Sequence, residues 1–344
     1  MGHGSFMLND TIFDGFPYFR MIDGVDIFFV LSGFLIGNIL LKTINEKENF
    51  SALKLLRFWK RRWFRTLPNY YLILLANYVV VKNGIIHEKI DRFSFHFITF
   101  TQNFKSPSYG FFWESWSLSI EEWFYLFSPI LIFIFIRFTT AKISFLTVTL
   151  IMILLPLVYR YFIYDPNIDH FWWDVTFRKT VICRLDSIGY GLLGGYALHY
   201  LPHFWSRLKY YSFLAGVGLI LLILNYDAPV TSLYQQTIFF SIVPLSVLLC
   251  LPLMESIKKG KGILSFAVQH ISKISYSMYL INLALVAEVI RDNYAPTGGV
   301  DGIIKYLIYW TVVVVVSTLL YKYFEKPIMN LRDKNFRIFN ALKG

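Results

Sequence analysis

Charge is scarce in this chain. Only 16% of its 344 residues are Asp, Glu, Lys or Arg, where a soluble domain carries about a quarter, so a water-soluble globular fold is excluded. Cysteine occurs twice, as Cys183 and Cys250, each inside an apolar run. That excludes a disulfide framework and yields neither a CxxC redox motif nor metal-ligand spacing. The opening residues MGHGSFMLND lack a basic region followed by an apolar core, so no signal peptide is read there. Internal repeats, low-complexity tracts and any polar stretch long enough for a soluble domain are also missing.

Apolar and aromatic residues fill the chain instead, at 56% and 19%, with a mean hydropathy of +0.50. Candidate spans run over 25–41, 68–82, 116–136, 143–163, 181–200, 211–225, 230–254, 276–290 and 303–324. Several reach the ~17–25 residues that cross a bilayer, and they lack the two-residue alternation of a membrane barrel. The expected fold class is therefore all-α: a polytopic integral membrane helical bundle, residues 1–344 forming a single domain.

The formal net charge of +11 does not point to nucleic acid, because the basic residues sit between apolar runs. Lys42, Lys47, Lys54, Arg57, Lys60, Arg61, Arg62 and Arg65 fill one loop, Lys258, Lys259 and Lys261 another, and Lys334, Arg337 and Lys343 the tail. Loops between these hold the acids. By the positive-inside rule the basic loops and the C-terminus face the cytoplasm, and the visible N-terminus lies outside. Within 42–67, Leu53, Leu56, Trp59 and Trp63 recur at helical spacing under a basic face, the pattern of a segment lying in the membrane plane on the cytoplasmic side.

The stretch Phe111 to Phe135 organises the functional reading. Glu121 and Glu122 lie in it with no Lys or Arg nearby in sequence, and a carboxylate at membrane depth normally faces a polar cavity or a partner. Other polar groups share that setting. Asp26 lies near the end of the first span, either solvated at a helix start or functional. Arg62 and Arg65, three apart, present two guanidinium groups on one helix side, suited to phosphate or to lipid headgroups. Arg184 and Asp186 enter a span together, compensating each other or lining a polar path. Asn282 is a lone amide suited to interhelical hydrogen bonding. Gly33 and Gly37 make a small-xxx-small face that lets another helix approach.

Together, GVDIFFVLSGFLIG, RRWFRTLPNYYL, WSLSIEEWFYLFSP, RLDSIGYGLLGG, ISYSMYLIN and YFEKP resemble, in order, the signatures of the acyltransferase-3 family, bacterial membrane enzymes that O-acylate cell-surface and secreted glycans. The resemblance implies ten membrane helices, the bacterial cytoplasmic membrane, and acyl-CoA, as acetyl-CoA, for co-substrate with no permanently bound cofactor or metal. The implied partners are membrane lipids and a glycan or lipid-linked glycan acceptor, such as a polysaccharide or lipopolysaccharide. His3 matches the family histidine, Arg62 and Arg65 its RxxR pattern, Glu121 its acidic position, and Arg184 with Asp186 its R-D-G pattern. Asp26, Ser32, Trp116 and Glu122 fall in the same signatures as substrate-binding or structural groups. Two departures stand out: most of the first helix is missing before His3, and Asn282 replaces a frequent histidine.

The mechanism so implied has His3 as general base on a sugar hydroxyl, Glu121 or Asp26 orienting its ring, and Arg62 with Arg65 holding CoA phosphates. Two alternatives compete: a transporter or flippase of a glycan or lipid intermediate, and a catalytically inactive truncated homologue.

Overall fold

The computed structural model describes residues 2–14, 23–45, 52–106, 108–257 and 260–332. Among the sequence-stretch assignments above, Lys47, Lys258, Lys259, Lys334, Arg337 and Lys343 lie outside the described residues. No strand occurs among the described residues. Among the described residues nine long helices carry the fold: α1 Gly24–Asn45, α2 Ala52–Lys82, α3 Ser115–Phe135, α4 Ala141–Phe162, α5 Val181–Tyr200, α6 Lys209–Asn225, α7 Phe239–Glu255, α8 Ile263–Ile281 and α9 Gly299–Leu320. A 3-10 helix, Gly2–Leu8, precedes them. Among the described residues six segments are long and apolar enough to cross a membrane: Gly24–Ile44, Ser115–Phe135, Ala141–Phe162, Tyr234–Glu255, Ile263–Asn293 and Gly299–Arg332. The chain is an all-α polytopic membrane protein.

Each expected span has its helix, and two of them start more than ten residues earlier than expected. The basic segment before Pro68 is continuous with the second span. From residue 52 it runs straight into the second span, because α2 carries Pro68 within its length without ending. The eighth span begins at Ile263 rather than 276 and runs on to Asn293 through π-helical turns at Asn282–Glu288.

One packing group surrounds α5. Its glycines let α1 come to backbone contact: a Cβ on Gly191 would stand 2.2 Å from the Val30 carbonyl oxygen, and one on Gly33 2.0 Å from that of Ile188. The small-residue face read at Gly33 and Gly37 is thus a crossing point with α5. Phe29, Ile36, Leu40, Ile120, Phe124, Phe145, Val148, Ile188 and Leu192 fill the core among α1, α3, α4 and α5.

A second group joins α2, α8 and α9. His87 at the end of α2 contacts Asp292 beyond α8 through both its amide, 2.7 Å, and its ring, 2.9 Å. At the other end of α2, Arg332 donates to the Arg61 carbonyl, 3.1 Å, and Glu325 accepts from Ser277, which accepts from Asn69. So α2 and α8 run parallel and α9 antiparallel to them. The 3-10 helix lies across the start of α9, where Gly302 has room only for hydrogen: a Cβ there would meet the Met7 carbonyl oxygen at 2.2 Å. That contact puts His3 at the end of the bundle opposite Arg61.

Candidate active site

A cavity of about 680 Å³ opens between the two groups. Lining it are Ile271, Ser275, Tyr276, Met278 and Tyr279 of α8 with Asn282 and Leu283 of the π-helical turns that follow, spaced so that one helix face forms the wall. At ~1.5 Å per residue that wall extends for about 18 Å, more than half a ~30 Å hydrocarbon layer. Tyr276, Tyr279, Tyr309, Trp113, Trp116 and Trp310 add aromatic surface, and His3, Asp23, Glu114, Arg178 and Lys179 supply the ionisable groups.

His3 is exposed toward the cavity and enclosed by protein on its other sides. That desolvation pushes the imidazole down to about 4, with Arg178 and Lys179 helping and Asp23 opposing. The ring is therefore neutral at neutral pH and able to take a proton. Burial alone would raise Asp23, but the Arg178 guanidinium holds its carboxyl below the usual range. Arg178 donates from Nε to Asp23, 3.1 Å, with a second, shorter bond from Nη2, and from Nη1 to Asp174, 2.7 Å. Lys179 completes the cluster through Asp174, 2.5 Å. Glu114, just before α3, is buried and pushed up to about 8 by that burial, with Glu88 adding to the effect; it accepts from the Ala284 amide, 3.2 Å.

Of the residues singled out in the sequence, His3, Trp116 and Asn282 line this cavity. Glu121 does not. It is buried beside Ser32 and Tyr125, whose hydroxyls bond each other at 2.7 Å. Glu122 accepts from Thr66 Oγ1, 2.7 Å. Arg62 lies 5.2 Å over the Tyr125 ring, half-buried, while Arg65 is exposed. This second polar cluster touches the first: the cavity-lining Tyr276 donates to the Thr66 carbonyl, 2.7 Å.

Three expectations are corrected. Arg184 and Asp186 do not compensate each other, because residues two apart on a helix point about 200° apart. Arg184 instead pairs with Asp26 and donates to Ser187 at 3.0 Å, and Asp186 pairs with Arg160 at 2.7 Å. Asp26, only 6% exposed, is therefore no solvated helix start. Asn282 turns its amide back onto its own helix, to the Met278 and Tyr279 carbonyls at 2.9 and 2.7 Å, rather than across to another.

Asp23, Asp174, Lys179, Glu114 and Arg160 were not singled out. Arg160 was findable, since it is an ionisable residue within the apolar run 143–163; the others sit at helix starts and loops, where sequence marks no cavity. Among the described residues no three His, Cys, Asp or Glu side chains are grouped to hold a metal ion.

Fold and site together define a polytopic membrane protein with a charged, aromatic-walled internal chamber. The chain belongs to the acyltransferase-3 family: the model of that family, described as an acyltransferase domain, matches residues 1–322. It is 26% identical to the peptidoglycan O-acetyltransferase OatA of Listeria monocytogenes over 92% of this chain and 54% of the relative. It is 27% identical to YrhL of Bacillus subtilis, provisionally named a peptidoglycan O-acetyltransferase, over 92% of this chain and 51% of that protein. A Staphylococcus aureus protein, provisionally named an O-acetyltransferase, shares 27% identity over 88% and 52%. The chain thus spans about half the length of these curated relatives. No solved structure matches it.

Proposed function

We propose that this domain moves an acyl group, acetyl, from acyl-CoA to a hydroxyl of a cell-surface glycan, working in a bacterial cytoplasmic membrane with the Arg62 end and the C-terminus facing the cytoplasm. The observation that carries the reading is the shared cavity: a neutral imidazole, a carboxylate steadied by a guanidinium, and an aromatic wall long enough to take a thioester arm from one side and a sugar from the other. The names of the relatives, O-acetyltransferases acting on peptidoglycan among them, support the acyl group and the acceptor class.

In this reading Arg62 and Arg65 grip phosphates of CoA, where a fork of donors suits the anion. His3 takes the proton from the acceptor O–H as the oxygen bonds the thioester carbon. The C–S bond then breaks, and the thiolate recovers the proton from the imidazolium. We assign the steadying of that imidazolium to Asp23 rather than Glu121, because Asp23 lines the cavity and Glu121 does not. Glu121 and Glu122 instead keep the Arg62 end of the passage polar, through Tyr125 and Thr66.

The test is transfer of labelled acetyl from acetyl-CoA to cell-wall glycan fragments by the full chain in detergent. His3→Ala abolishes transfer while leaving folded protein, and Arg62→Ala or Arg65→Ala raises the KM for acetyl-CoA about tenfold, the loss of one charge-assisted contact. Full transfer by His3→Ala, or substrate movement without acetyl-CoA consumption, overturns the reading.

A further inference from the structure

The cluster at the cavity wall contains two cations in unequal positions. Arg178 spends both edges of its guanidinium, Nε and Nη2 on Asp23 and Nη1 on Asp174. Lys179 has one acceptor among the described residues, Asp174 Oδ2 at 2.5 Å, though an ammonium carries three donors. Its Nζ stands 4.6 Å over the Trp113 ring, so one side of the charge is covered by an aromatic face. Its side chain is 11% exposed, and what is exposed lines the same cavity as His3. Acyl transfer through a tetrahedral intermediate places a full negative charge on the former thioester oxygen, and a pre-set donor in a largely dry site is the group that stabilises it.

We infer that Lys179 is the electrophilic residue of this site, donating an N–H to the thioester oxygen as it becomes an oxyanion. The inference rests on the cavity being the acyl-transfer site. When the acceptor oxygen bonds the carbonyl carbon, the C=O π electrons move onto oxygen beside the ammonium. When the C–S bond breaks they return, the ester leaves neutral, and Lys179 keeps all its protons. Trp113 and Asp174 act as positioning groups that hold Nζ at the wall. An anionic group on the acceptor is the other ligand such an ammonium fits, and the kinetics separate the two.

The experiment measures kcat and both KM values for Lys179→Met, Lys179→Arg and Asp174→Asn in the full chain, with labelled acetyl-CoA and cell-wall glycan fragments. Loss of an oxyanion donor lowers kcat by about 100-fold or more, with either KM changed by less than about threefold. Lys179→Arg, which keeps a cation, recovers to within about tenfold of the native kcat, and Asp174→Asn, which breaks the same ion pair but leaves the ammonium in place, retains at least about a tenth. Three results overturn the assignment: native kcat in Lys179→Met; a raised acceptor KM at unchanged kcat, which marks an anion-binding group; or an Asp174→Asn loss equal to that of Lys179→Met, which marks a structural ion pair. Should Lys179→Met not be recovered from membranes, Lys179→Ala, which also lacks the charge, is read against the same limits. His3→Ala separates the levels, since its full activity removes the cavity reading itself, whereas an inactive His3→Ala beside a fully active Lys179→Met removes only Lys179.

Discussion

Replacing Asp186 by Asn strands a charge in the middle of the bundle. Arg160 and Asp186 are both 0% exposed and meet at 2.7 Å; the arginine's remaining acceptors, the Cys183 carbonyl and Ser241 Oγ, are neutral. Removing one member of a buried pair while its partner stays costs about 3–5 kcal/mol. Unfolding entropy of ~2.1 cal/mol/K per residue over 344 residues is about 0.7 kcal/mol/K, so the melting temperature drops by roughly 4–7 °C. The double variant Arg160→Met/Asp186→Leu removes both charges and recovers most of that loss, as apolar replacement of whole buried pairs does. Arg184→Met does not rescue Asp186→Asn: Arg184 belongs to Asp26, so the two losses add to about 6–10 kcal/mol. The assay is unfolding in detergent followed by tryptophan fluorescence, arranged as two double-mutant cycles. A 160–186 coupling below about 1 kcal/mol, or a larger one between 184 and 186, refutes the wiring.

Two further outcomes follow from the same structure. Gly191→Ala drives a methyl onto the backbone of α1, 2.2 Å from the Val30 oxygen and 2.6 Å from the Phe34 nitrogen, and destabilises by about 1–3 kcal/mol, whereas Gly218→Ala in α6, with nothing within 4 Å of the added methyl, is neutral to stabilising by up to about 1 kcal/mol; equal effects on thermal unfolding would show that the α1–α5 contact is looser than described. For His3, whose imidazole is held down to about 4, the neutral base persists until the pH falls through that value, so kcat/KM stays level from about pH 7 to 5 and halves near about pH 4; an acid limb centred between about 6 and 7 would place the base elsewhere or deny its desolvation.

Much of the fold could be read from the chain, because a helix that must satisfy every backbone group inside lipid leaves a run of apolar residues as its trace. The run at 116–136 and α3 differ by one residue at either end. Polarity within helices defeated the rest. Ile263 to Ser275 mixes Gln269, His270 and Lys273 with apolar neighbours, so the start of α8 read as loop. The RxxR segment read as a surface helix because its continuity through Pro68 is a matter of packing. At the site, His3 and Trp116 were placed by motif resemblance and Asn282 by its polarity within an apolar run. Pairing was the hardest part to foresee: the partners of Arg184 and Asp186 lie 158 and 26 residues away in the chain, and no local spacing encodes which of two acids a buried arginine will meet.

The glycine crossing of α1 and α5 bears on those pairs as well. Main chain rests on main chain there, so neither helix can slide along the other without steric conflict, and the offset between them is indexed as a key indexes a shaft. Asp26 sits about two turns before Gly33, and Arg184 about two turns before Gly191. A slip of a single turn would part the two charges by ~5 Å, so the bundle has one permitted alignment and no graded set of neighbours to drift into.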